Sequence, residues 1–120
     1  MPSVKHCLSD KKSGVFSLPP SAPVFQALEL MKANRIRAVL IIEGGVLLGI
    51  VTQGDCAIKV LLPGRSAHDT LVSEIMTRDP LTVKPAALLD QCMKVMVTRR
   101  IRHLPVLDNG VVTGVVSIGD

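Results

Sequence analysis

The sequence predicts a mixed α/β fold made of two β-α-β-β-α units that pack around a pseudo-two-fold axis. Residues 16–55 and 81–120 are two copies of one pattern at a constant shift of 65 positions, so that Gly49 matches Gly114. Within each copy the apolar spacing changes from helical to strand-like in the same order. Two copies are too few for a solenoid or a propeller, which need three or more shorter repeats.

The match between the copies extends over their whole length without a gap. Thirteen positions are identical, including Pro20/Pro85, Gln26/Gln91, Met31/Met96, Arg35/Arg100, Arg37/Arg102, Val51/Val116 and Asp55/Asp120. Each copy alone would bury only a marginal core. We therefore expect the two copies to pack face to face in one small domain.

Each copy begins with an extended piece and a helix. Residues 15–18 form a short extended segment that ends at Pro19-Pro20, because proline cannot donate to a strand ladder and favours a turn. Apolar residues then recur at helical spacing in 24–31 and again in 89–96. The pattern predicts one amphipathic helix per copy.

A hairpin and a second helix complete the first copy. Strand-like runs at 37–42 and 46–51 flank a glycine-rich turn, and Asn109-Gly110 occupies the same place in the second copy. Asn-Gly is a strong hairpin signal because both residues tolerate positive φ. Residues 52–62 are then predicted to form a helix.

These elements divide the chain into four segments. We predict an N-terminal segment 1–14 with a short helix near 3–10, a first repeat 15–62, a linker 63–79 with a short helix near 71–76, and a second repeat 80–120. The second repeat has no counterpart of the 52–62 helix, since the sequence ends at Asp120. We expect a longer natural chain, because an uncovered apolar core would be an aggregation or docking surface.

Composition narrows the classes of function. The chain is 48% hydrophobic and has no Trp or Tyr, so it lacks the aromatic platforms on which single-stranded nucleic acid stacks. A formal net charge of +4, spread along the chain, fits a small anionic ligand better than a duplex, and we predict no nucleic-acid partner. Apolar runs are too short to span a membrane. Without a signal-peptide pattern, we expect a cytoplasmic protein.

The cysteines do not form a recognisable framework. Cys7, Cys56 and Cys92 are odd in number and lack metal-ligand spacing, which argues against a disulfide set or a zinc site. We predict no metal. No base and nucleophile constellation is visible, and we predict that the chain is not an enzyme.

Two repeated motifs resemble those of a cystathionine-β-synthase (CBS) domain pair, or Bateman module. One is the strand start, at Ile36-Arg37-Ala38-Val39 and at 101–106. The other is the end of each copy, a glycine followed by two apolar residues and Thr/Ser-x-x-Asp. The resemblance covers about residues 14–120. It implies a stand-alone regulatory protein that binds an adenine-containing ligand such as AMP, ATP, NAD or S-adenosylmethionine between the copies, and commonly a homodimer. It implies no catalysis.

The strand-to-helix junction at 49–55 has features that suit a nucleotide. Free N–H groups and the helix dipole at a helix start favour a phosphate. Thr52 adds a hydroxyl, Gly54 permits close approach to the backbone, and Asp55 can accept both ribose hydroxyls. Residues 114–120 repeat these features.

A basic residue often precedes this aspartate in the family, whereas both copies here have glycine, at Gly54 and Gly119. Phosphate would then be neutralised by Arg37, Arg102 or His103, guanidinium being well suited to its oxygens.

By resemblance, each cleft takes its Thr/Ser-x-x-Asp end from one copy and its strand start from the other. One cleft would combine Thr52, Gly54 and Asp55 with Thr82, Arg102, His103 and Pro105, and the other Ser117 and Asp120 with Ser17, Arg37 and Ala38. Because His103 and Pro105 match Ala38 and Leu40 in the other copy, we expect the clefts to differ in affinity.

A purely structural interpretation stays open. Thr-x-x-Asp at a helix start is also the pattern of a capping box, worth about 1 kcal/mol per cap. On that interpretation the clefts stay empty and the chain is an interaction or dimerisation module. Loss of ligand affinity in Asp55→Ala would distinguish the two.

Overall fold

The computed structural model describes residues 2–9 and 15–118. The chain folds into two compact units, one of them Phe16–Pro80 and the other joining Met1–Val15 to Leu81–Asp120. The first repeat and the linker thus fold as one unit. The N-terminal segment folds with the second repeat.

The helices and strands follow the order that the sequence predicts, with one short strand at Thr77–Arg78 that it did not predict. In chain order they are α1 (Val4–Ser9), β1 (Ser17–Leu18), α2 (Val24–Asn34), β2 (Ala38–Glu43), β3 (Val46–Thr52), α3 (Gln53–Cys56), a π-helical segment (Ala57–Leu61), α4 (Val72–Ile75), β4 (Thr77–Arg78), α5 (Leu89–Arg99), β5 (His103–Asp108) and β6 (Val111–Ser117). No helix in the described part of the chain is long and apolar enough to cross a membrane.

Both units are built on a β-hairpin. In Phe16–Pro80 the strand order is β1-β2-β3-β4, with β1 parallel to β2 and the other neighbours antiparallel. In the other unit β5 pairs antiparallel with β6, and a parallel bridge from Val83 to Val106 takes the place of β1. The predicted β-α-β-β-α order is confirmed in the first repeat. In the second it is found as far as β6, and the place of a last helix lies outside the described residues.

The hairpin turns have the geometry that their residues predict. Gly44 and Gly45 have φ of 58° and 77°, and Asn109 and Gly110 have 51° and 81°. Positive φ at both central residues belongs to the tight turn that matches the twist of the flanking strands. The two hairpins also share a register shift after Ile41 and after Val106, 65 positions apart.

The core of each unit lies between one face of the hairpin and the helices. Val39, Ile41 and Val51 alternate along the strands of Phe16–Pro80 and pack with residues of α2 such as Ala27 and Met31, all of them buried. The other unit has the corresponding set at the same shift, Cys92, Met96, Leu104, Val106 and Val116. With so few aromatic residues, the aliphatic side chains fill these cores almost alone.

Each core is completed by a helix from outside its own repeat. In α4, the Val72 N–H donates to the Ala22 carbonyl at 2.8 Å, and in α1 the Val4 N–H donates to the Ala87 carbonyl at 2.8 Å. Ala22 and Ala87 are equivalent positions of the two copies, and both valines are fully buried. The segment before each repeat therefore packs in the unit of the other repeat.

Gly49 faces the residues that directly follow α4, and Gly114 faces α1. A Cβ on Gly49 would lie 2.6 Å from the Met76 Sδ and 2.8 Å from the Thr77 carbonyl oxygen. The three heavy atoms nearest to a Cβ on Gly114 all belong to the Leu8 side chain, two of them at 2.8 Å. The repeated glycine thus lets the added segment approach the strand closely in both units.

We predict that Gly49→Ala destabilises the protein by about 1–3 kcal/mol, since a methyl group there overlaps a backbone carbonyl as well as a side chain. Gly114→Ala should cost less, because the Leu8 side chain can change rotamer. Urea unfolding of both variants measures the difference. A larger loss for Gly114→Ala would contradict this account of the close approach.

Candidate functional site

The junction of β3 and α3 is closed by a reciprocal cap. The Asp55 N–H donates to the Thr52 Oγ1 at 3.2 Å, and the Asp55 Oδ2 accepts from the Thr52 N–H at 2.9 Å and from the Thr52 hydroxyl at 3.1 Å. This is the capping box that the Thr-x-x-Asp pattern predicts. The carboxylate already has a structural role, whatever else it binds.

Most of the N–H groups at this helix start are occupied. The Gln53 N–H donates to the Arg37 carbonyl at 3.0 Å, and the Asp55 N–H is taken by Thr52. Within the described residues, the Gly54 N–H has no acceptor. The sequence predicted several free N–H groups for a phosphate, and the structure leaves fewer. One of them, on Gln53, donates to the Arg37 carbonyl just before β2 of the same copy.

Gly54 leaves room beside the cap. A Cβ on Gly54 would have the Thr52 Oγ1 as its nearest neighbour, at an ordinary contact distance of 3.7 Å. Glycine is therefore not required here by packing or by positive φ. The available space is consistent with the expected close approach of a ligand to the backbone.

The first strand start lies beside the first cap. The register places Ala38 opposite Thr52 across the β2–β3 pair and Ser17 opposite Leu40 across the β1–β2 pair. The side chains of Ser17 and Arg37 are exposed, and Ala38 is half-buried. Within this unit the predicted site residues of the first copy therefore share one region of the sheet.

The second copy repeats the same local arrangement. His103 lies opposite Ser117 and Pro105 opposite Val115, and the Ile118 N–H donates to the Arg102 carbonyl at 3.1 Å. Thr82 and Arg102 are exposed, His103 and Ser117 are half-buried, and Pro105 is buried. Gly119 and Asp120 lie outside the described residues. The combination of one copy's cap with the other copy's strand start stays a prediction.

Lys59 belongs to the site and was missed by the sequence interpretation. The Lys59 Nζ lies 3.1 Å from the Asp55 Oδ1 and donates to the Ile75 carbonyl at 2.9 Å. The spacing of four between Asp55 and Lys59 in a predicted helix was a usable signal. Nothing in the sequence indicated the contact with Ile75.

The helix predicted at 52–62 has the expected length, but only its first turn is α-helical and the rest is π-helical. After Cys56 the chain widens into a π-helical turn, in which the Leu62 N–H donates to the Ala57 carbonyl at 2.9 Å. The Arg65 N–H likewise donates to the Val60 carbonyl at 2.8 Å. Such turns are rare and are often found at functional sites.

The Cys56 thiol is held in its neutral form. Burial and the neighbouring Asp55 carboxylate together raise the pKa of Cys56 to about 11. The helix dipole, which would lower the pKa of a thiol in the first turn, is outweighed. Cys56 is a core residue of this unit rather than a nucleophile.

The described residues contain no metal-binding cluster. Across 2–9 and 15–118, no three His, Cys, Asp or Glu side chains are placed to hold an ion together.

Comparison with known proteins agrees with this architecture. The CBS domain profile matches residues 9–61 and 72–120. The chain belongs to the CBS domain family. The two CBS domains correspond to the two repeats.

The relatives range from small proteins to much longer ones. The CBS domain-containing protein YhcV of Bacillus subtilis is 32% identical over 120 residues, which cover this whole chain and 83% of YhcV. CBSCBSPB3 of Arabidopsis thaliana is 38% identical over 107 residues, and the match spans 88% of this chain but only 19% of that protein.

Solved structures share the fold closely. A proposed signal-transduction protein with CBS domains from Burkholderia ambifaria is 38% identical, with a TM-score of 0.93 over 98% of this chain and 89% of that one. A CBS domain protein from Pyrobaculum aerophilum complexed with AMP has a TM-score of 0.86 over 98% of this chain and 88% of that one, at 21% identity. At that identity the likeness concerns the fold alone.

We predict that Cys56 resists alkylation in the folded protein. With a pKa of about 11, only about one thiol in a thousand is ionised at pH 8, and burial blocks access to it. Peptide mapping after iodoacetamide treatment, with and without urea, measures this at each cysteine. Rapid labelling of Cys56 without urea would contradict the assignment.

Proposed function

We propose that this CBS-pair protein is a regulatory protein that binds an adenine nucleotide, of the AMP, ATP, NAD or S-adenosylmethionine class, at the Thr52–Asp55 cap. The observation that supports this best is the cap itself. It presents a carboxylate that is only 15% exposed beside the unengaged Gly54 N–H. A fixed acceptor next to a free donor suits a ribose and its phosphate.

The Asp55 carboxylate retains capacity for a ligand. A carboxylate offers about four acceptor positions. Thr52 uses two on Oδ2, and Lys59 uses one on Oδ1. One ribose hydroxyl can therefore bind Asp55 without disturbing the cap, whereas two hydroxyls require Thr52 or Lys59 to give up a position.

The other ligand contacts follow the family arrangement. We assign Thr82, Arg102, His103 and Pro105 to the ligand of the first cap. We assign Ser17, Arg37 and Ala38 to the ligand of a second cap at Ser117 and Asp120. The exposed guanidinium groups of Arg37 and Arg102 would supply the positive charge that Gly54 lacks. No catalytic step is proposed, and a cytoplasmic location remains part of the proposal.

A homodimer is the second part of the proposal. Ile58 and Leu61 on the π-helical segment and Leu62 directly after it are 63%, 78% and 74% exposed, although they are large and apolar. Apolar side chains grouped on one surface favour association. A second copy is the partner that we propose for them, since two-fold symmetry is the commonest in soluble oligomers. A ligand-free dimerisation module is the alternative function, and the same surface favours it.

We expect AMP to stabilise the wild-type protein and to lose affinity when Asp55 is replaced. A ligand at 100 times its Kd stabilises a fold by about 2.7 kcal/mol, which moves the Tm by several degrees. Thermal melting with AMP, ATP, NAD and S-adenosylmethionine, followed by calorimetric titration of Asp55→Ala, measures both effects.

The matched control is Gln91→Ala. The Gln91 Oε1 accepts from the Leu88 N–H at 3.2 Å at the start of α5, so this variant also loses a cap. Each variant should lose about 1 kcal/mol of stability, and only Asp55→Ala should lose affinity. If Asp55→Ala binds as tightly as wild type, or if no ligand moves the Tm, the interaction module replaces the sensor.

A further inference from the structure

We propose that Lys59 is a positioning residue that transmits the occupancy of Asp55 to the segment Ile75–Arg78. The inference rests on the proposed function in one respect, namely that a ligand hydroxyl binds Asp55. All of the contacts that carry it lie within the unit Phe16–Pro80.

Lys59 is shared between two partners. Its ammonium group lies 3.1 Å from the Asp55 Oδ1 and 2.9 Å from the Ile75 carbonyl oxygen. Asp55 and Ile75 are twenty residues apart in the chain. Lys59 is therefore a direct polar connection between the cap and the end of α4.

The Ile75 carbonyl needs a hydrogen-bond donor because it lies at the buried end of α4. Ile75 is the last residue of α4 and is only 1% exposed. The last carbonyls of a helix have no intrahelical donor and need one from elsewhere. Lys59 supplies that donor from a side chain that is itself partly exposed, and an unpaired carbonyl on a buried residue is costly.

The residues after Ile75 return to the strand that carries the cap. Met76 packs against Gly49, and Thr77 and Arg78 pair with Ile50 and Gly49 on β3. β3 ends at Thr52, the first residue of the capping box. A continuous set of contacts thus leads from the cap through Lys59 to α4 and returns to the cap through β4 and β3.

A ligand would alter this set of contacts at Asp55. A hydroxyl that donates to the Oδ1 shares the carboxylate charge with Lys59 and weakens that pair. An anionic group on the same ligand would attract the ammonium group as well. A weaker pair holds the ammonium group less firmly beside the Ile75 carbonyl, and an anionic group draws it away, so binding at the cap should loosen the start of β4.

The contacts that define the relay are those of the first cap. Asp120, which matches Asp55 at the 65-residue shift, lies outside the described residues. We therefore assign the relay to the first cap.

Amide hydrogen exchange of Met76, Thr77 and Arg78 tests the relay without ligand. Lys59→Met and Asp55→Asn should each speed exchange about threefold, as expected for the loss of a partly exposed ion pair. The double variant should exchange no faster than the faster single variant. Lys59→Arg should restore protection, and Lys32→Met, at the exposed end of α2, is the matched control.

The same measurement with saturating AMP tests transmission. In wild type, AMP should speed exchange of these amides, and in Lys59→Met it should bind but leave them unchanged. Additive effects in the double variant would overturn the relay, as would an equal AMP response with and without Lys59. If AMP does not bind wild type, the proposed function fails, and the ligand-free comparison alone decides whether Lys59 couples Asp55 to Ile75.

Discussion

The burial of one face of each hairpin by a helix from outside its repeat is the constraint on which the rest of the structure depends. Two Phe and no Trp or Tyr leave the cores to aliphatic side chains, and a repeat of about forty residues has too few of them. Val72 and Val4 close the two cores, both fully buried and both hydrogen bonded to equivalent alanines. Each unit therefore includes a segment that precedes the other repeat in the sequence.

This arrangement also positions the candidate site. Met76 and Thr77, directly after α4, pack against Gly49 and lead into the pairing of β4 with β3, and the Ile75 carbonyl lies within reach of Lys59. Lys59 in turn holds Asp55, which caps the helix that follows β3. The residues that stabilise the junction are thus the residues to which we assign ligand binding. A regulatory protein benefits from such overlap, since a ligand can shift an equilibrium only through contacts that differ between two states.

The sequence was sufficient for the parts of the fold that depend on local pattern. The duplication, the helical stripes, the Asn109-Gly110 turn and the Thr52–Asp55 box follow from spacing and turn chemistry. The exchange of α1 and α4 between repeats could not be predicted, because these helices match at a shift of 68 and lie outside the duplicated ranges. The contact of Lys59 with a backbone carbonyl leaves no side-chain pattern at all. The π-helical turn after Cys56 has no counterpart in the sequence pattern, which predicts an ordinary helix there.

The central claim is that the capping box at Thr52–Asp55 is also a ligand site. A titration of the ¹⁵N-labelled protein with AMP, followed by amide chemical shifts, tests it most directly. The account predicts saturable shifts centred on the Gly54 and Asp55 amides, since Gly54 has the N–H without an acceptor among the described residues and Asp55 has the carboxylate. Saturable shifts that avoid residues 52–55, or the absence of any shift at millimolar AMP, would contradict it.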